Sequence, residues 1–231
     1  HKIIGAITYE DIAEAIDDEM GDDYAKLAGL TSEEDLHEPL LQSLKKRLPW
    51  LVLLLFLGMG VSSVVGIFEP IVDRIALLIC FQSMILDMAG NVGTQSLAVT
   101  IRVLMDESLT GKQKLQLVFK EMRIGFCNGL LLGVLSFAVI GLFIFLFKGK
   151  TMMFAFSVSA CIGIALLLAM LISSAVGTCI PLFFKKIHID PAVASGPLIT
   201  TVNDLVAVVT FYGLSWLFLI EMLHLCLLYT S

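Results

Sequence analysis

The chain has 231 residues, 58% of them hydrophobic and 16% charged, and its mean hydropathy is +0.92. That balance excludes an ordinary soluble domain and points to a polytopic membrane protein. The net charge of −6 is uneven: twelve of the 21 acids fall in the first 38 residues beside two lysines, so an acidic polar leader precedes an apolar body.

The opening HKIIGAITYEDIAEAI has no basic stretch followed by an apolar one, so it does not read as a signal peptide. It also lacks an initiator methionine, and the chain is expected to begin inside a larger protein. KIIGAITYEDIAEAIDDEM predicts a short β-branched strand and then an acid-rich helix. A second polar helix is predicted from Glu33 to Arg47, after a break at Gly29 and a cap signal at Thr31/Ser32. Leu36, Leu40, Leu41, Leu44 and Leu48 recur at helical spacing, which makes this connector amphipathic as it enters Pro49.

Five spans follow: about Trp50–Phe68, Ile75–Leu104, Ile124–Phe147, Met152–Phe184 and Ala192–Ile220. Lys45, Lys46 and Arg47, then Arg102, Lys112, Lys114, Lys120 and Arg123, then Lys185 and Lys186 fall on one side. Only Arg74, Lys148 and Lys150 fall on the other. The excess of basic residues predicts a cytoplasmic leader and an external C-terminus. Gly58, Ser62 and Gly66 in the first span, and Gly125, Gly129 and Gly133 in the third, predict close helix packing. The five cysteines lie scattered in apolar runs with no CxxC pair, and read as small core residues.

Asp204 lies within the fifth span with no Lys or Arg there to neutralise it. An intramembrane acid costs roughly 2.5–3.5 kcal/mol on insertion scales and usually faces a bundle interior or an aqueous path. Thr200, Thr201 and Pro197 fall on the same helical face, and Pro197 is expected to free the carbonyl of Val193. Such hard oxygen ligands suit Mg²⁺ or Ca²⁺, so a cation pathway is preferred to a structural aspartate. In LDMAGNVGTQSLAVTIR, Asp87, Asn91 and Thr94/Gln95 form a polar stripe on the second span. It fits either a second pore wall or interhelical hydrogen bonding, and Asp87 leaves both open. The leader acids Asp11, Glu14, Asp17, Asp18, Glu19, Asp22 and Asp23 fit either a solvated face or a cluster that divalent cations neutralise. Enzyme motifs such as HExxH, GxSxG and a Gly-rich GxxxxGK[ST] loop are missing, the four histidines are isolated, and no basic aromatic surface suggests nucleic acid.

At AGNVGTQSLAVTIR and DPAVASGPLITTVND the sequence closely resembles the MgtE family of magnesium channels and transporters. The resemblance implies an all-α polytopic membrane protein. Residues 1–29 would be the end of a CBS domain, 30–48 a connecting plug helix, and 49–231 a five-helix conducting domain. It further implies a homodimer in the plasma membrane, with a pore lined by the second and fifth spans. Asp204 would hold hydrated Mg²⁺, and Thr200 matches a position offering a backbone carbonyl. Asp11, Glu14, Glu19, Asp22 and Asp23 match or lie at acidic sensing positions, and Asp190 matches an acid tying the membrane domain to the connector. Nucleotide binding would belong to CBS regions that this sequence lacks. Gly196 stands where some members carry Asn, and Asp87 where many carry a small residue. The reading that follows is a Mg²⁺-gated Mg²⁺ channel. The alternatives are a coupled transporter of Mg²⁺ or Co²⁺, and a CBS-regulated scaffold without transport.

Overall fold

Thr8 starts the first helix, α1 (Tyr9–Leu27), through a capping box. Its backbone N–H and hydroxyl both donate to Asp11 Oδ2 at 2.7 Å, and Asp11 N–H donates to Thr8 Oγ1 at 3.2 Å. Lys26 in the last turn faces the negative end of the helix dipole, and the chain leaves through Gly29 at φ +85°. The computed structural model describes residues 7–30, 37–70, 76–106, 109–193 and 196–218. The β-strand expected at 2–6 lies outside these residues.

Five long helices follow: α2 (Leu40–Ile67), α3 (Ile79–Asp106), α4 (Gly111–Phe147), α5 (Met152–Lys186) and α6 (Gly196–Ser215). All five are long and apolar enough to cross a membrane, and no strand occurs among the described residues. Short 3-10 turns at Ala76–Leu78 and Pro191–Val193 lead into α3 and α6. The connector was expected to be a separate helix ending before Pro49. From Leu40 onward it is instead continuous with the first span, and Pro49 sits inside α2. The proline leaves the carbonyl of Lys45 without its helical donor, and the helix continues because the rest of its ladder is intact. The expected first part of the connector, 33–36, lies outside the described residues.

α5 is the centre of the bundle, packed on α3, α4 and α6. Without water to drive association, such contacts depend on close approach of backbones. The glycine stripe of α4 provides it. An added Cβ at Gly129 would lie 2.9 Å from Leu167 Cα, and one at Gly133 would lie 2.7 Å from the carbonyl oxygen of Gly163. The stripe on α2 behaves differently: Gly58 and Gly66 have nothing within 4 Å, and α2 buries no residue. Its main neighbour in this chain is α6.

Candidate functional site

The two polar strips read from the sequence lie side by side. α3 and α6 run antiparallel, since Gly90 faces Thr200 and Thr94 faces Gly196 four residues further along. An added Cβ at Gly90 would lie 3.1 Å from Thr200 Cγ2, and one at Gly196 would lie 3.8 Å from Thr94 Cγ2. Asp87 is one turn from Gly90, and Asp204 is one turn from Thr200 in the same direction. At 1.5 Å per residue the two carboxylates therefore stand at about the same level. Asp87, Asn91 and Gln95 are exposed, while Thr200, Thr201 and Asp204 are half-exposed. The chain thus presents one polar face made of two helices.

A glycine crossing fixes this register. Gly93 of α3 meets both Asn203 of α6 and Gly177 of α5; an added Cβ at Gly93 would collide with the Asn203 amide, and one at Gly177 with the Gly93 carbonyl. Asn203 is fully buried here, so the residue beside it, Asp204, turns toward the exposed face. Thr200 and Thr201 donate their hydroxyls back to the carbonyls of Gly196 (3.0 Å) and Pro197 (2.9 Å). Their oxygens remain acceptors, and the Thr200 carbonyl keeps a second lone pair beside its helical bond.

One expectation is corrected. Pro197 was expected to free the carbonyl of Val193 within the helix, but α6 begins at Gly196 and Val193 belongs to a separate 3-10 turn. Pro197 stands in the first helical turn, where its missing N–H would have no helical acceptor in any case.

The end of α1 packs at the mouth of this face. Leu27 joins Leu97, Ile101 and Ile199 in one apolar cluster. Gly29 is pressed against the Trp50 indole and Pro197, so the leader touches α2 and the start of α6 together. Lys26 Nζ donates to Asp190 Oδ2 at 2.9 Å, and the backbone N–H of Ala192 donates to Asp190 Oδ1 at 2.9 Å. Burial pushes the Asp190 carboxyl up. The hydrogen bonds from Lys26 and Ala192 and the Lys26 charge outweigh it, and the carboxyl is held below its ordinary range. The Asp190 hydrogen bond raises Lys26 in turn.

Among the leader acids, Asp23 is a second neighbour of Lys26 at 3.7 Å. Asp22 and Asp23 are half-buried, whereas Asp11, Glu14 and Glu19 are exposed. Asp11 serves its own helix, where the Thr8 backbone N–H, with the Thr8 hydroxyl, holds its carboxyl below the ordinary range. No three His, Cys, Asp or Glu side chains converge into a metal site among the described residues.

Glu121 and Asn203 are among the buried polar residues that no motif singled out. Glu121 is 4% exposed and accepts from the Ser96 hydroxyl at 3.1 Å. It lies between basic residues in KEMR and precedes Gly125, Gly129 and Gly133 at the same four-residue interval. That spacing was the available signal. Asn203 has neither amide atom hydrogen-bonded and falls on the buried row Ile199, Asn203, Ala207 and Phe211.

Residues 82–214 match the family model of MgtE, described as a divalent cation transporter. The magnesium transporter MgtE of Enterococcus faecalis is 36% identical over 217 residues, which is 94% of this chain and 46% of that protein. The Bacillus subtilis magnesium transporter MgtE is 33% identical over the same shares. The Thermus thermophilus magnesium transporter MgtE is 27% identical over 221 residues, 94% of this chain and 47% of that protein. The chain thus spans about half the length of these relatives. Five membrane-crossing helices, the paired strips on α3 and α6, and a family match covering most of α3 through α6 lead to one conclusion: this multi-pass membrane chain belongs to the MgtE family.

Proposed function

We propose that two copies of the chain form a divalent-cation channel, with α3 and α6 of each lining a path along a shared two-fold axis and Mg²⁺ as the ion. The observation that carries this reading is the paired strip. Asp87, Asn91, Thr200 and Asp204 share one uncovered face of membrane-crossing helices, where hydrocarbon would leave them without partners. A second copy applying the same face would enclose four carboxylates at one level. Mg²⁺ surrenders its waters reluctantly and is often bound through one or two carboxylates. Asp204 from each copy would hold the hydrated ion, while Asp87, Asn91 and the Thr200 carbonyl accept hydrogen bonds from its waters. The names of the relatives support the choice of ion.

In this reading residues 1–29 end a CBS domain, 30–48 form the connecting helix, and 49–231 conduct. The basic end faces the cytoplasm of the plasma membrane, the C-terminus lies outside, and nucleotide binding belongs to CBS regions of the intact protein. Asp11, Glu14, Glu19, Asp22, Asp23 and Asp190 sense cytosolic Mg²⁺: they repel while it is scarce, and bridging when it is plentiful closes the path. Flux from the intact protein in liposomes, with Mg²⁺, Co²⁺ and Ca²⁺ compared under an imposed voltage, tests it. Mg²⁺ flux that follows voltage without a coupling ion is the expected result. Flux requiring a second ion gradient would favour the coupled transporter, and no flux for any ion would overturn transport.

A further inference from the structure

We propose that the outer face of α4 holds one anionic phospholipid, with its headgroup between Lys120 and Arg123. α4 has 37 residues, and at 1.5 Å per residue it is about 55 Å long against roughly 30 Å of hydrocarbon. The run from Ile124 to Phe147 carries no charged residue and is by itself long enough to cross. The first turns of α4, including Lys120 and Arg123, therefore stand at headgroup level.

The helix has two distinct faces there. Leu117, Glu121, Gly125 and Gly129 are buried, mainly toward α5. Centred on the opposite side, a shallow groove along the surface of α4 is lined by Gln116, Phe119, Lys120, Arg123, Ile124, Cys127 and Asn128. Lys120 is 61% exposed, and Arg123 is exposed beside it. The nearby acid, Glu121, points into the bundle, its Oε1 3.7 Å from Lys120 Nζ. The groove is therefore cationic at Lys120 and Arg123, with Phe119 beside them at headgroup level, and beyond Arg123 the apolar Ile124 and Cys127 continue toward the hydrocarbon with one amide, Asn128, next to them.

This pattern fits an anionic diacyl lipid. The guanidinium of Arg123 can take two phosphate oxygens at once, and Lys120 adds a point charge whose stem lies along the apolar wall. A choline headgroup brings its own cation against these two and is disfavoured. Two cations beside one headgroup, one of them shared with Glu121, favour phosphatidylglycerol over zwitterionic phosphatidylcholine by about tenfold. The groove lies away from the polar face of α3 and α6, so the lipid does not compete with the proposed ion path.

The test is native mass spectrometry of the intact protein released from nanodiscs of equimolar phosphatidylglycerol and phosphatidylcholine. Wild type is expected to keep phosphatidylglycerol in about tenfold excess over phosphatidylcholine. K120Q/R123Q should lose that excess, while K120R/R123K and the neighbouring K112Q/K114Q should keep it. Equal retention of the two lipids by wild type, unchanged retention in K120Q/R123Q, or displacement by inorganic phosphate as readily as by lipid would overturn the proposal. If K120Q/R123Q does not fold, an I124W variant, at the apolar side of the groove, supplies a second measurement. Its fluorescence should be quenched more by brominated phosphatidylglycerol than by brominated phosphatidylcholine, and equal quenching would overturn the site.

Discussion

The ammonium of Lys26 and the carboxylate of Asp190, 164 positions apart, are joined at 2.9 Å at the mouth of the α3/α6 face. This contact gives Asp190 a cation that belongs to the chain. If Asp190 is also a regulatory ligand, Mg²⁺ must compete with Lys26 for it. Lys26→Gln is then expected to lower the Mg²⁺ needed for half closure, and Asp190→Asn to raise it. A partly exposed ion pair contributes about 0.2–1 kcal/mol, so each shift should be up to about fivefold. Mg²⁺ titrations of channel opening check the signs. Shifts in the same direction would show that the pair is only a tether.

The same pair predicts a pH range. Asp190 is held below its ordinary 3.8, so its contribution is present above that value and fades as pH falls through the lowered one. Lys26 is raised above 10.5, so its contribution is complete below that value and fades only as pH rises past the raised one. Docking of α1 should therefore be flat from about pH 5 to 9. Cross-linking yield between cysteines placed on α1 and at the start of α6 measures it. A midpoint near neutrality would assign the docking to other groups.

Asp204→Asn is expected to reduce Mg²⁺ flux at least about tenfold while the protein stays folded, because the charge that attracts the hydrated ion is gone. Asp87→Ala should cost less. Asp87 is exposed and level with Asp204, so removing it opens no cavity and subtracts one of two charges at that level. Flux and thermal stability measured together separate the cases. Unfolding of Asp87→Ala, with no separable flux defect, would return Asp87 to a packing role.

At the helix crossing, Gly93→Ala and Gly177→Ala should each destabilise by about 1–3 kcal/mol or more, because the new methyl meets Asn203 or backbone and not a yielding side chain. Gly58→Ala, with nothing within 4 Å, should have little effect within one chain. Thermal unfolding in detergent reads the difference. A large loss for Gly58→Ala would instead place another copy against α2.

Glu14→Gln/Glu19→Gln/Asp22→Asn should flatten the Mg²⁺ dependence of closure in the intact protein, since equal affinity for two states shifts neither. Asp11 is left out because its loss would uncap α1. Superimposable titration curves for wild type and the triple variant would make these acids a solvated face.

The number of spans, the polar strips and the glycine stripe of α4 were legible because each follows helical spacing or apolar length in one segment. The level pairing of Asp87 with Asp204 was not, because register depends on where Gly93, Gly177 and Asn203 from three separate helices meet. The burial of Glu121 was not legible for a local reason: its neighbours in KEMR are basic, while its own side turns inward to Ser96 of α3. Pro197 was misplaced because a run of apolar residues does not reveal that a 3-10 turn precedes the helix. The two roles of Asp190 and Lys26 also required a contact across the whole chain.

The uninterrupted course of α2 through Pro49 has a mechanical consequence. From Leu40 to Ile67 it forms a rod about 42 Å long, so a push on its leader end is carried across the bilayer as rotation of the whole helix. Bending would be the competing response, and it is easiest where the ladder already lacks a rung, at the carbonyl of Lys45. Under the proposed gating, force from the acidic leader would be either delivered to α6, against which α2 rests, or absorbed within one turn of the membrane surface. The stiffness of that single turn decides which.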